Sequence, residues 1–311
     1  PLTSAINHPV GILTESLFLW WYGQKPIDNE GGQEQLKVRL NRICESNEPS
    51  MYLGKVIAAT NMLSLYRVDP GWTSEKLLPW LDWENSELAN MSWQAYLWSP
   101  RLHKAFLVQV KRNLLDTARH YESLGELKEQ YARFITSISL QSYGEFKASE
   151  LASVFDNLPS TALIHVASTL NDGMSGSGDK YSEYWEHRIK QFLRKAWPKN
   201  VEISDMTVNQ LALLCINTKL HFEEAFGLLK HSLREYDDTE YLVRQLNNSE
   251  VIGSFPRLSL EFLNLVIAEP RFRAPSKLGE CLSKIIDLEP ELESAQAYRR
   301  LITIVRQHEN E

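Results

Sequence analysis

Apolar residues recur three or four positions apart along almost the whole chain, the spacing of one face of a helix. Between Arg101 and Tyr121, Leu102, Phe106, Val110, Leu114, Ala118 and Tyr121 form one such stripe. Leu127, Tyr131, Phe134 and Ile138 repeat it, as do Phe222, Ala225, Leu229 and Leu233, and near the end Leu292, Ala295, Tyr298, Ile302 and Val305. Period-two alternation is not sustained anywhere. No Asn-Gly or Asp-Gly pair separates alternating apolar runs, so the pattern predicts helices and no hairpins. Asp172-Gly173 falls between helical patterns instead.

Start and stop signals cut these stripes into short elements. His8-Pro9 opens the first, with proline where a missing N–H costs nothing. Thr207 with Gln210 reads as a capping box, and Pro256, Pro275 and Pro290 mark boundaries, because a helix interior does not accept proline. The expected helices are 9–24, 33–46, 51–66, 73–82, 86–98, 101–122, 125–142, 147–156, 159–170, 179–197, 206–218, 221–236, 238–247, 256–268, 276–287 and 291–307. They group into about eight pairs spaced by roughly forty residues, within the range of HEAT-like repeats. One pair cannot bury both of its apolar faces alone, so neighbours must stack. The expected fold is therefore all-α: an irregular HEAT-like stack of antiparallel helix pairs, an α-solenoid or superhelix. The stretch after Leu170 reads LNDGMSGSGDK. Its glycines and serines make 172–178 the expected hinge between helical arrays at 1–171 and 179–311, which also read as one continuous domain.

Composition narrows the function classes more than it names one. The 311 residues are 43% hydrophobic and 23% charged, and the formal charge of −7 offers no general attraction for nucleic acid or an anionic membrane. No run approaches the roughly 18 apolar residues of a membrane-spanning helix. Ile12 to Tyr22 comes nearest but is interrupted by Thr14, Glu15 and Ser16, and it lacks the basic flank and cleavage site of a signal peptide. Cys44, Cys215 and Cys281 are odd in number and have no metal-ligand spacing, which reads as buried free thiols in a reducing cytoplasm. The chain begins at Pro1 rather than methionine, which suggests a piece of a longer protein.

The search for chemistry returns little. Gly173 to Lys180 spells G-x-x-x-x-G-D-K, but a phosphate-binding loop needs lysine where Asp179 stands, and a strand before it. No HExxH, paired metal-spaced histidines or G-x-S-x-G elbow appears. His120, Tyr121 and Glu122 are successive helical residues and point in different directions. No catalytic, cofactor-binding or metal-ligating residue is therefore assigned, and no enzyme activity is expected of this chain. The basic residues Arg188, Lys190, Arg194, Lys195 and Lys199, with Arg271 and Arg273, form the candidate interaction patch. Such residues meet phosphates, although Asp179, Glu183 and Glu186 share the first helix and favour a solvated, ion-paired face. Tryptophans concentrate at Trp72, Trp80, Trp83, Trp93 and Trp98. Most sit at helical spacing and belong to a core, with one or two expected at a partner surface.

Three aromatic segments carry a resemblance. His8-Pro9-Val10-Gly11-Ile12-Leu13 opens a helix bearing Trp20-Trp21, followed later by Trp80-Leu81-Asp82-Trp83 and by Trp98-Ser99-Pro100-Arg101-Leu102. In these the chain resembles the C-terminal helical region of large bacterial sirtuin-like proteins associated with anti-phage defence. The likeness covers most of the chain and rests on packing motifs, not catalytic ones. It implies an NAD-consuming domain upstream and a scaffolding or sensing role here. No sirtuin site residue carries over, because the glycine-rich nucleotide loop and the catalytic histidine context are absent. The resulting expectation is a cytoplasmic, non-catalytic scaffold or sensor that binds a protein partner or the upstream domain of its own chain, with no cofactor and no membrane contact. Its binding surface would be a concave face or the Trp72–Trp98 segment. The alternative is a nucleic-acid-binding domain that uses the basic patch.

Overall fold

Pro9 takes the first helical position of Pro9–Gly23, and the His8 ring accepts the Val10 N–H at 3.2 Å, so the first long helix starts where the sequence signal places it. The computed structural model describes residues 2–141, 144–199, 201–269 and 273–309. Among them the regular structure is helical, and the only extended pairing is one parallel bridge between Tyr236 and Ile267.

Several expected helices are broken by local chemistry. The 51–66 stripe is two helices, Pro49–Thr60 and Met62–Val68, separated at Asn61. The Asn61 side-chain amide donates back to the Ile57 carbonyl at 2.9 Å, an alternative to continuing the ladder. The 101–122 stripe becomes Lys104–Gln109, Lys111–Asp116 and a 3-10 stretch Thr117–Leu127 that turns at Gly125, whose φ is +57°. Residues 179–197 pass through Tyr181–Tyr184, a π-turn at Trp185–Ile189 and Lys190–Lys195. The Thr207 cap is corrected: Asp205–Asn217 begins earlier, and it is the Ser204 hydroxyl that accepts the Thr207 N–H. Pro256 does open a helix, Pro256–Val266, and Pro290 opens a 3-10 turn.

The chain divides into two compact units. One takes Pro1–Ile138 and Tyr143–Leu158, the other Ser139–Ser142 and Pro159–Glu311. The division thus falls near 158, not in the glycine- and serine-rich segment 172–178. That segment begins inside the Leu163–Ser175 helix, where Leu170 and Met174 are buried. Gly173 is there for close packing: a Cβ would lie 2.6 Å from the Tyr184 hydroxyl.

Within the first unit, Pro9–Gly23 packs on Pro49–Thr60, which packs on Ser86–Leu97. Within the second, Leu163–Ser175, Asp205–Asn217, Glu240–Asn248 and Leu278–Leu288 pack in succession. The hydrogen bonds that join neighbouring segments span various separations, 27 and 48 residues among them, and several share a separation of 39. In the first unit Tyr22 reaches Asn61, Asp28 reaches Arg67 and Tyr66 reaches the Ala105 carbonyl, each 39 residues apart. In the second, Asn171 to Gln210, Ser182 to His221 and Trp185 to Glu224 have the same 39-residue separation.

The cores are aromatic and aliphatic. Trp93 is fully buried and donates its indole N–H to the Leu81 carbonyl at 3.0 Å. Phe222, also fully buried, meets Phe226, Phe255 and Phe262 at ring-centroid distances of 5.4–6.0 Å.

Candidate functional site

Three residues of the basic patch are committed to the protein itself. Arg188 donates to the Leu140 carbonyl. Lys190, only 14% exposed, holds its ammonium 2.8 Å from Glu186 and 2.7 Å from Glu224, and Arg194 reaches Glu224 at 3.1 Å. Lys195 and Lys199 are exposed and have no partner among the described residues. Arg273 is exposed, and its charge joins hydrogen bonds from Ser276 and the charge of Arg244 in holding the Glu240 carboxyl below its ordinary range. Arg271 lies outside the described residues.

Around Lys190 a polar cluster joins two levels of the second unit. Trp185 donates its indole N–H to Glu224 at 3.0 Å, and the Ser182 hydroxyl lies 2.6 Å from His221 Nε2. The Trp185 and His221 rings stack at 6.2 Å and 25°. The π-turn Trp185–Ile189 adds a residue to the helix here, and Lys219, two residues before His221, sits at φ +55°. Both are unfavourable backbone choices that the surrounding contacts hold in place. Burial alone would raise the Glu224 carboxyl, but hydrogen bonds from Lys190 and Trp185 and the charges of Lys190 and Arg194 hold it below the ordinary carboxylate value.

Two chemistries suggest themselves in this cluster. Ser182, His221 and Glu186 follow the hydroxyl–imidazole–carboxylate order of an acyl-transfer relay. Yet His221 Nδ1 is 3.9 Å from Glu186, beyond a hydrogen bond, and that carboxylate is already paired with Lys190. Glu186, His221 and Glu224 also bring potential ligand atoms within 4.8 Å of one another. The Lys190 ammonium lies against both carboxylates and supplies the positive charge that a metal would bring. The cluster therefore reads as a polar fastening between the 181–195 segment and the Phe222–Leu229 helix.

A 680 Å³ cleft in the first unit lies between the Lys111–Asp116 and Ala148–Asn157 helices, and its charged lining is occupied by ion pairs of its own. Lys111 meets Glu150 at 2.6 Å and Arg119 meets Asp116 at 2.8 Å.

A different surface stands open. Pro9–Gly23 is apolar nearly all round: Leu17, Phe18 and Trp21 are buried, while Leu13 is 70% exposed, Leu19 67%, and Ile12, Trp20 and Tyr22 are exposed with them. Half of the exposed large apolar side chains among the described residues fall between Ile6 and Val38, so the exposure is a patch and not a scatter. A 310 Å³ groove bounded by Leu13, Leu17, Trp20 and Arg39 runs along it, and Arg39 also borders a shallow hollow on the Glu34–Glu45 helix with Glu34, Val38 and Arg42.

No family model, curated protein or solved structure matches this chain.

Among the tryptophans, Trp80, Trp83 and Trp93 are core, whereas Trp98 is 62% exposed. His120 stacks on Trp83 at 4.0 Å while Tyr121 is buried and Glu122 pairs with Lys128, so these three residues do diverge. The Ser182–His221 pairing was hidden in its spacing; aligning polar residues 39 apart would have exposed it. The open groove had a signal in the uniformly apolar first helix, which a one-sided stripe would not show.

Proposed function

We propose that this chain is a protein-binding helical scaffold, the sensor or regulatory part of a larger bacterial defence protein. The observation that carries the reading is the exposed apolar face of Pro9–Gly23, a helix whose composition suits burial on all sides. The 39-residue separation of several hydrogen bonds between helices fits a HEAT-like stack of helix pairs, an architecture that presents extended surfaces to a partner. The defence setting, with an NAD-consuming domain upstream, rests on the resemblance in the 8–13, 80–83 and 98–102 segments. A cytoplasmic setting agrees with three free cysteines. Among the described residues no helix is long and apolar enough to cross a membrane.

The test is NAD consumption by the longer protein exposed to phage lysate. Lysate-triggered NAD loss that disappears on deleting residues 1–311, or on introducing Leu13→Asp with Leu19→Asp, is the expected result. NAD loss that proceeds unchanged in both variants overturns the sensor role.

A further inference from the structure

The groove beside the first long helix has one apolar wall and one cationic wall. Leu13, Leu17 and Trp20 lie at i, i+4 and i+7 on Pro9–Gly23, the spacing of a continuous ridge that an incoming helix can interdigitate with. From Glu34–Glu45, Gln35 and Arg39 line the groove, and Val38 and Arg42 lie beside Arg39 on the adjoining face of that helix. Arg39 and Arg42 are one turn apart, both exposed, and neither has a hydrogen-bond or ion-pair partner among the described residues. This contrasts with the nearby Lys37, whose ammonium is held 2.8 Å from Asp69. One carboxylate, Glu34, lies at the N-terminal end of the same wall. One unpaired guanidinium therefore lines the apolar trough and a second lies one turn further along, with Glu34 the one carboxylate among the lining residues.

We infer that this groove docks an amphipathic helix of a partner polypeptide, apolar along one face and carrying glutamate or aspartate at the edge of that face. The apolar ridge supplies the contact area, as in other helix-in-groove complexes. Each guanidinium presents a planar fork of donors matched to a carboxylate, so the arginines select sign and register. The host helix has 15 residues, and at 1.5 Å per residue it offers about 22 Å, room for roughly four turns of partner. The inference deepens the scaffold reading and rests on it.

The probe is a fluorescein-labelled synthetic helix of about four turns, with leucine along one face and glutamate flanking it, titrated with the full chain by anisotropy. A second peptide replaces every glutamate with lysine. The acidic peptide is expected to bind and the basic one to bind at least about tenfold more weakly, the discrimination that close charge pairs provide. Arg39→Glu with Arg42→Glu should weaken the acidic peptide by a similar factor and reverse the preference. Leu13→Asp should weaken both peptides, with an unchanged circular dichroism melt showing that the exposed substitutions leave the fold intact. Equal binding of the two peptides, or binding indifferent to the arginines, overturns the acidic partner. So does a dimer by light scattering that Leu13→Asp converts to monomer while no peptide binds, because the occupant is then a second copy. If Leu13→Asp with Leu19→Asp still uncouples NAD loss in the longer protein, the scaffold reading survives such a failure. If the variants change neither assay, both readings fall.

Discussion

Asp69 shows how much one side chain does in a chain of short helices. Its carboxylate caps Pro70–Lys76 by accepting the Trp72 N–H at 3.1 Å, accepts the Gly32 N–H at 2.9 Å and pairs with Lys37 at 2.8 Å. Burial pushes this carboxyl up, but the bonds from Lys37, Gly32 and Trp72 outweigh it and hold the group below its ordinary value of 3.8. A carboxyl held down in the folded state adds stability that is present above 3.8 and is lost as pH falls through the folded value. Asp69→Ala should therefore cost about 1–2 kcal/mol at neutral pH. In urea melts the gap from wild type should close at acid pH; a gap constant down to pH 2 would contradict the charge assignment. Nothing in the local sequence marks this residue beyond its place before Pro70, because two of its three partners lie over thirty residues upstream.

At the scale of elements, the periodic stripes located the helices, and the breaks escaped them. Apolar spacing reports which face is buried, and it runs on unchanged through Asn61 or through the π-turn at Trp185–Ile189, where only the backbone register alters. Close packing escapes it as well. At Gly11 a Cβ would lie 1.8 Å from the Ala5 carbonyl oxygen, so Pro9–Gly23 lies against the backbone of Leu2–Ile6 with no room for a side chain. Gly11→Ala should cost about 1–3 kcal/mol, as overpacking does. Hydrogen exchange should show the loss in Leu2–Ile6 first, with Pro49–Thr60 retaining its protection. Uniform loss across all three helices would mean that the glycine supports more than this one crossing.

For the whole molecule, the sequence led to an expectation of helix pairs about forty residues apart; several bonds between helices do span 39 residues, while others span separations such as 27 and 48. The boundary near 158 was not visible, because glycine and serine mark permissive backbone, whereas a boundary is defined by which side chains share a core. The candidate site was half legible: the basic residues and Glu186, four positions before Lys190, could be named, but the second partner, Glu224, comes from the separate helix Phe222–Leu229. Phe222 packs against rings on neighbouring helices, so damage there should spread to those helices first. Phe222→Ala, which removes a fully buried ring, should cost about 3–5 kcal/mol. Its effect on exchange should be greatest in Asp205–Asn217 and Pro256–Val266 and smaller in Leu163–Ser175. Equal deprotection throughout the second unit would show that it melts as one cooperative block.

The thiols give the chain a practical property. Burial pushes Cys44 up to about 11 and Cys281 up to about 12, and it raises the fully buried Cys215 as well. At neutral pH all three are overwhelmingly protonated, and the thiolate is the form that alkylates. The native protein is thus close to a silent background for maleimide chemistry. A single cysteine placed at Leu13 or Trp98 would carry a spectroscopic reporter with no need to remove the natural ones.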